Sequence, residues 1–175
     1  MEKIKSLPQA VIVAQAAKKS GKKIGFITGC FDILHEGHID LFRFAKKHVD
    51  FLVIALDSDE AIREGKPACR QGRGEGRPIH SQKQRARILS ELESVDMVIP
   101  ITGNYSFLKK NSVESLHDKI RDAVEADFII TTPQADKYWE SKKERAEKAG
   151  VKILLFTTVK PSSTSKIINK ISEEY

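Results

Sequence analysis

The chain has 175 residues, of which 40% are hydrophobic and 31% are charged, and it carries a net charge of +6 at pH 7. This length fits one domain with a sizeable core, and this balance argues against global disorder. No apolar run approaches the ~20 residues that cross a bilayer, and residues 1–6 lack the apolar segment of a secretory signal. We therefore expect a single cytoplasmic domain spanning residues 1–175.

Apolar runs and amphipathic stretches alternate along the chain, which predicts a parallel sheet covered by helices on both faces. A helix over 8–19, within an N-terminal segment 1–23, leads into the first strand. Strands are predicted over 24–28, 51–56, 97–101, 128–131 and 152–156. Further helices are predicted over 37–47, 58–63, 81–93, 113–123, 137–149 and 163–174. The expected fold is α/β, a Rossmann-like doubly wound parallel sheet of about five strands in a three-layer α/β/α arrangement.

The most informative stretch is 29–38, Gly-Cys-Phe-Asp-Ile-Leu-His-Glu-Gly-His, which lies between the first strand and the second helix. Backbone N–H groups at a helix start attract phosphate, because they lack partners and carry the positive end of the peptide dipole. Gly37 lets a ligand approach the main chain closely, and the imidazoles of His35 and His38 can donate to the same phosphate. This stretch predicts a site that handles a nucleotide.

The stretch 29–38 resembles the HxGH signature of the nucleotidyltransferase superfamily, which includes cytidylyltransferases and adenylyltransferases. Further pieces in order resemble the adenylyltransferase domain of heptose-phosphate nucleotidyltransferases and, next, glycerol-3-phosphate cytidylyltransferase: Ser58-Asp59, Arg77-Pro78, Arg85 and Ser94-Val95-Asp96. One stretch departs from the heptose enzymes. They carry Lys-Gly-Gly-Asp after the fourth strand, where residues 131–136 here read Thr-Thr-Pro-Gln-Ala-Asp.

The resemblance implies transfer of a nucleotidyl group. A phosphate monoester attacks the α-phosphorus of a nucleoside triphosphate, and pyrophosphate leaves. Because such an acceptor is already largely dianionic at neutral pH, alignment and charge stabilisation suffice without a general base. The expected partners are ATP or CTP and a sugar- or polyol-phosphate, without nucleic acid or membrane. Mg²⁺ would accompany the triphosphate with few protein ligands and no metal site of the protein's own; relatives are commonly homodimers.

The resemblance also assigns roles to residues. His35, His38 and Lys46 are expected to be catalytic, with Lys46 two helical turns past His38 on the same face. The residues expected to bind nucleotide or phosphate are Gly29, Cys30, Phe31, Asp32, Gly37, Asp57, Asp59, Arg77, Arg85, Ser162, Ser163 and Thr164. Each arginine would bind phosphate through two parallel hydrogen bonds. Asp32 would orient a histidine or touch the acceptor, or else cap a turn.

Other functions compete with this one. The arginine- and glycine-rich stretch 70–77 suits a non-catalytic nucleotide- or RNA-binding module, but Glu75 interrupts it and stacking aromatics are absent around it, so a flexible lid over 64–80 is preferred. A dinucleotide-dependent oxidoreductase needs GxGxxG between strand and helix, which is not found there. A class I aminoacyl-tRNA synthetase shares HxGH but needs a longer chain. The resemblance favours ATP, and a CTP-dependent cytidylyltransferase of a polyol phosphate is the alternative.

Overall fold

The computed structural model describes residues 2–64, 77–102, 116–134, 136 and 138–157, together with 164, 167, 170, 171 and 173. Most of the predicted loop 64–80 lies outside the described residues, as do Ser162 and Ser163. In the part of the chain that is described, no helix is both long and apolar enough to cross a membrane.

Strands and helices alternate along the described residues. The strands are β1 (Ile24–Gly29), β2 (Phe51–Leu56), β3 (Met97–Pro100), β4 (Phe128–Thr131) and β5 (Lys152–Leu155). The helices are α1 (Leu7–Lys19), α2 (Glu36–Lys46), α3 (Asp59–Arg63), α4 (Gln82–Ser90), α5 (Leu116–Ala123) and α6 (Trp139–Lys148). The predicted elements within the described ranges are confirmed, with ends displaced by up to three residues. Positions 164, 167, 170, 171 and 173 of the last predicted helix are helical.

The strands form one parallel sheet in the order β3-β2-β1-β4-β5. The chain therefore builds outward from β1 to β3, then returns to the other side of β1 to add β4 and β5. The switch point lies between β1 and β4. In sheets of this kind, ligands bind beyond the carboxyl ends of the strands at the switch point.

Apolar side chains cover both faces of the sheet, because residues alternate between the two faces along each strand. Ile54 of β2 lies in a buried cluster with Phe42 of α2 and residues of α4. Its neighbour Val53 lies in a second buried cluster with Ala14 of α1 and Ile120 of α5. Helices thus pack on opposite faces, which confirms the doubly wound, three-layer α/β/α fold.

Candidate active site

The loop after β1 turns back on itself at Phe31. This residue has a φ of 46°, in the left-handed region that residues other than glycine rarely adopt. The turn brings the ring beneath Gly29, where an added Cβ would lie 3.0 Å from the Phe31 ring. The ring centroid is also 5.2 Å from that of His38 and 5.4 Å from that of Phe42. Phe31 therefore holds the loop against the start of α2.

The two predicted catalytic histidines stack on each other at the start of α2. His35 is the extended residue just before the helix, and its backbone N–H donates to Nδ1 of His38 at 3.3 Å. The ring centroids are 3.9 Å apart. Gly37 permits this arrangement, because a Cβ at this position would come within 3.2 Å of the His35 ring. The spacing His-x-Gly-His is thus what allows one imidazole to lie over the helix start.

This geometry determines which hydrogen-bond donors the site offers. Since Nδ1 of His38 accepts the His35 N–H, Nε2 is the ring nitrogen left to carry a proton and donate it to a phosphate oxygen. In an α-helix the first N–H groups lack the usual partner four residues back, and the peptide dipoles add partial positive charge there. In α2 the N–H of His38 already donates to the His35 carbonyl at 2.9 Å, so Glu36 and Gly37 supply the N–H groups of interest. The structure therefore brings together His35, His38 and Gly37 as donors suited to phosphate, beside Gly29 and Phe31.

Thr164, at the start of the last predicted helix, lies next to the same loop. Its hydroxyl donates to the carbonyl of Ile33 at 3.2 Å, across 131 positions of sequence. The structure thus places one of the three predicted hydroxyl residues beside the β1–α2 loop. The other two, Ser162 and Ser163, are outside the described residues.

Asp32 binds residues 77–80, the last part of the predicted lid over 64–80. Its buried carboxylate accepts the backbone N–H groups of Ile79 and His80, both at 2.9 Å, and pairs with Nε of Arg77 at 2.7 Å. Capping a turn, one of its expected roles, matches these contacts. Among the described residues, these partners of Asp32 include neither His35 nor His38, which it was expected to orient. Asp32 therefore fixes residues 77–80 against the β1–α2 loop and draws the Arg77 guanidinium to the same place.

Arg85 differs from the expectation that it binds phosphate. Its side chain is 0% exposed, and its nitrogens all face protein oxygens. Nε donates to the His80 carbonyl at 3.0 Å, Nη1 donates to the Cys30 carbonyl, and Nη2 donates to the Asp57 carbonyl at 2.9 Å and to Asp59 Oδ1 at 2.7 Å. The guanidinium thus binds Asp59 and the loops after β1 and β2, and its full burial leaves it no open side for a ligand. The Asp59 side chain remains 20% exposed.

Lys46 is not brought to the histidines. Its Nζ pairs with Asp96 Oδ2 at 2.8 Å and donates to the Asp50 carbonyl at 2.9 Å. The same Asp96 oxygen accepts the N–H of Leu52, at the amino end of β2. Eight residues of helix rise about 12 Å, so a residue two turns along shares a face with His38 but lies at the opposite edge of the sheet. The expected catalytic role does not fit this position.

Asp57 has a partner that the sequence does not predict. The residue follows β2 directly, and its N–H donates to the Gly29 carbonyl at 3.0 Å, which extends the β1–β2 ladder into the site. Its buried carboxylate lies 2.8 Å from Nε2 of His117 in α5. The two residues are 60 positions apart, so no local spacing marks them as a pair.

The buried carboxylates of this site are already engaged by donors of the protein. Asp32 already binds backbone N–H groups and Arg77, and Asp57 is engaged by His117. Over the described ranges, no group of three or more His, Cys, Asp or Glu side chains is arranged to hold a metal ion. An ion whose ligands are mostly phosphate oxygens and water would suit this donor set.

The family of the chain follows from comparison with known proteins. Residues 26–170 match the family model described as cytidylyltransferase-like. Over 173 residues the chain is 34% identical to the bifunctional protein HldE of Geobacter metallireducens, covering 99% of this chain and 32% of that protein. It is 33% identical over 170 residues to HldE of Wolinella succinogenes, covering 97% and 31%. The chain belongs to the cytidylyltransferase-like family, as its resemblance predicted.

Two further comparisons show how far the family assignment reaches. The chain spans about a third of the length of these curated relatives. Among solved structures, the lipopolysaccharide core biosynthesis protein from Thermoplasma volcanium has a TM-score of 0.58 and 25% identity, covering 81% of this chain and 100% of that one. Pantoate-beta-alanine ligase from Francisella tularensis has a TM-score of 0.62 over 99% of this chain and 78% of its own, and at 16% identity it shows the fold alone.

Proposed function

We propose that the protein is a nucleotidyltransferase that moves a nucleoside monophosphate from a nucleoside triphosphate to a sugar- or polyol-phosphate and releases pyrophosphate. The observation that carries this proposal is the stacked pair His35 and His38 at the start of α2, beyond the carboxyl end of β1. Membership of the cytidylyltransferase-like family supports it.

The residues of the site suit this reaction because it needs charge stabilisation more than proton transfer. The acceptor phosphate is already an anion, so no serine, cysteine or general base has to be activated. The imidazoles and the first N–H groups of α2 would bind the triphosphate and stabilise the charge that builds on the α-phosphate oxygens. A bound Mg²⁺ would neutralise part of the triphosphate charge.

The protein's buried polar contacts would keep these donors in position. Arg85 binds carbonyls of the loops after β1 and β2, and Asp32 binds the segment 77–80. Preorganised donors contribute more to catalysis than mobile ones, because no reorganisation is needed as charge develops. Arg85 and Asp32 are therefore positioning residues in this proposal.

ATP is the preferred donor and CTP the alternative. The resemblance to heptose-phosphate adenylyltransferases favours ATP, and the similarity to HldE proteins agrees with that resemblance. The similarity to a lipopolysaccharide core biosynthesis protein supports a phosphorylated sugar as acceptor. A glycerol-3-phosphate-like polyol phosphate is the alternative acceptor, paired with CTP.

A pyrophosphate-release screen tests the proposal. ATP and CTP are each combined with a panel of phosphorylated sugars and polyols, with Mg²⁺ present. We expect release that requires one donor and one acceptor together, and a product that carries the nucleotidyl group. Absence of release from every pair, or release that ignores the acceptor, would contradict the proposal.

A further inference from the structure

Four polar side chains converge at the switch point of the sheet, on the side of β1 away from β2. Thr28 and Thr131 stand at the carboxyl ends of β1 and β4, and Lys142 reaches them from α6. Its Nζ lies 2.6 Å from Asp136 Oδ2 and 3.4 Å from Thr28 Oγ1. The Thr131 hydroxyl donates to the same Asp136 oxygen at 2.9 Å. We call Thr28, Thr131, Asp136 and Lys142 the switch-point cluster.

The cluster holds a charged pair that is mostly shielded from solvent. The side chains of Lys142 and Asp136 are each 16% exposed. Burial alone would raise the pKa of Asp136. The charge of Lys142, with hydrogen bonds from Lys142, Thr131 and the Tyr138 N–H, outweighs burial and lowers that pKa below its ordinary value. The carboxylate is therefore ionised at neutral pH and fixes the ammonium above the strand ends.

The ammonium has capacity left for a ligand. A lysine carries three N–H donors. Its contacts among the described residues, Asp136 and Thr28, use two of them. Arg85, by contrast, has all its nitrogens on protein oxygens. Counting the described residues, the Lys142 ammonium at the carboxyl edge of the sheet thus has one N–H left that can donate to an anion.

The place of Lys142 in the fold and in the sequence agrees with a role in binding an anion. Thr28 immediately precedes Gly29, so the ammonium and the histidine pair adjoin the two ends of the same loop. The stretch 131–136 contains no lysine. Instead, α6 brings one to the end of β4 from eleven positions beyond Thr131.

We propose that Lys142 binds a phosphate oxygen of a substrate at the switch point between β1 and β4, with Asp136 and Thr28 holding its ammonium in place. This proposal deepens the proposed function, on which the identity of the substrate rests. The phosphate could belong to the triphosphate donor or to the acceptor, and both offer the same chemistry to an ammonium group.

Calorimetric titration distinguishes these sources. ATP, CTP and inorganic phosphate are titrated separately into wild-type protein and into Lys142→Met, with Mg²⁺ present for the nucleotides. We expect at least about tenfold weaker binding of one probe, since a charge-assisted hydrogen bond is lost. Weaker nucleotide binding identifies the triphosphate as the ligand. Weaker binding of inorganic phosphate alone identifies the acceptor site.

Matched variants distinguish a ligand-binding role of Lys142 from a purely structural one. Lys143→Met removes a neighbouring, half-exposed lysine that pairs with Glu147, and it should bind all three probes like wild type. A purely structural ion pair predicts the same effect from Lys142→Met and Asp136→Asn. A ligand role predicts a smaller loss from Asp136→Asn, because the ammonium remains. Should Lys142→Met fail to fold by thermal unfolding, Lys142→Gln takes its place in the same comparison.

The result that overturns the proposal is wild-type affinity of the Lys142 variant for all three probes, or no binding of any probe by wild type. These titrations do not depend on turnover. Weaker binding by Lys142→Met together with an inactive wild-type protein would leave the phosphate site standing and contradict the proposed reaction.

Discussion

The two edges of the sheet use carboxylates in different ways. At the amino edge, Asp127 accepts the N–H of Ile24 and pairs with Lys18, while Asp96 accepts the N–H of Leu52 and pairs with Lys46. The side chains of both ion pairs are about 30% exposed. These carboxylates accept N–H groups at the starts of β1 and β2, and the lysines paired with them remain partly exposed to solvent.

At the carboxyl edge, the carboxylates are more deeply buried and hold loops. Asp32 is 3% exposed and Asp57 is 1% exposed. The first binds residues 77–80 and the second binds His117, while Asp136 holds Lys142 at the switch point. The comparison teaches that charges at the amino edge join the starts of strands to helices, whereas charges at the carboxyl edge hold loops around the switch point, where the proposed function places the substrates.

The largest effect should come from the histidine pair. We expect His35→Ala or His38→Ala to lower turnover by about 10²–10³-fold, the loss typical of removing one preorganised donor to developing charge. Thermal unfolding should change little, because both residues are only partly buried and belong to neither core cluster. Pyrophosphate release measures the effect. Near-normal pyrophosphate release by both variants would show that the carboxyl edge is no more important for turnover than the amino edge, and it would contradict the comparison.

The variant Arg85→Lys tests whether the buried arginine of the carboxyl edge holds loops in place or binds phosphate. A lysine cannot reproduce the four contacts of the buried guanidinium, so we expect a loss of about 2–4 kcal/mol in the free energy of unfolding. Urea unfolding measures it. If stability stays unchanged while KM for the triphosphate alone rises, the guanidinium would bind phosphate as the sequence predicted.

Asp136→Asn should give a smaller, pH-dependent effect of about 1–2 kcal/mol at neutral pH. The pKa of Asp136 in the folded protein lies below its ordinary value of 3.8. The ionised form therefore stabilises the fold fully above that value, and the stabilisation is lost as pH falls through the folded-state pKa. Unfolding curves of wild type and variant should differ at pH 7 and converge below 3.8. A constant difference at all pH values would contradict this account.

Lys46→Met should have the smallest effect. A partly exposed ion pair contributes about 0–1 kcal/mol, so the melting temperature should fall slightly and pyrophosphate release should match wild type. The variant also serves as the amino-edge control for the histidine variants. A large loss of turnover with an unchanged melting temperature would show that Lys46 serves the site after all.

Much of the fold could be predicted because its signals are local. Apolar runs mark the strands, and the order of strands and helices limits the topology. The arrangement of His35, Gly37 and His38 could also be predicted, because all three lie within one helical turn and each constrains the next.

Other features could not be predicted because burial and long-range contact decide them. Arg85 has the same sequence signature whether it binds phosphate or backbone carbonyls, and only its full burial separates the two. Helical spacing gives the face on which Lys46 lies but not the edge of the sheet that it reaches. The pair Asp57–His117 depends on packing α5 beside β2, which no spacing reveals.

The most direct test of the central claim is a crystal structure with Mg²⁺ and a non-hydrolysable analogue of the nucleoside triphosphate that the screen identifies. The account predicts that the α-phosphate lies within hydrogen-bond distance of the His35 and His38 imidazoles, at the start of α2. A triphosphate bound elsewhere, with both rings out of reach of every phosphate oxygen, would contradict it.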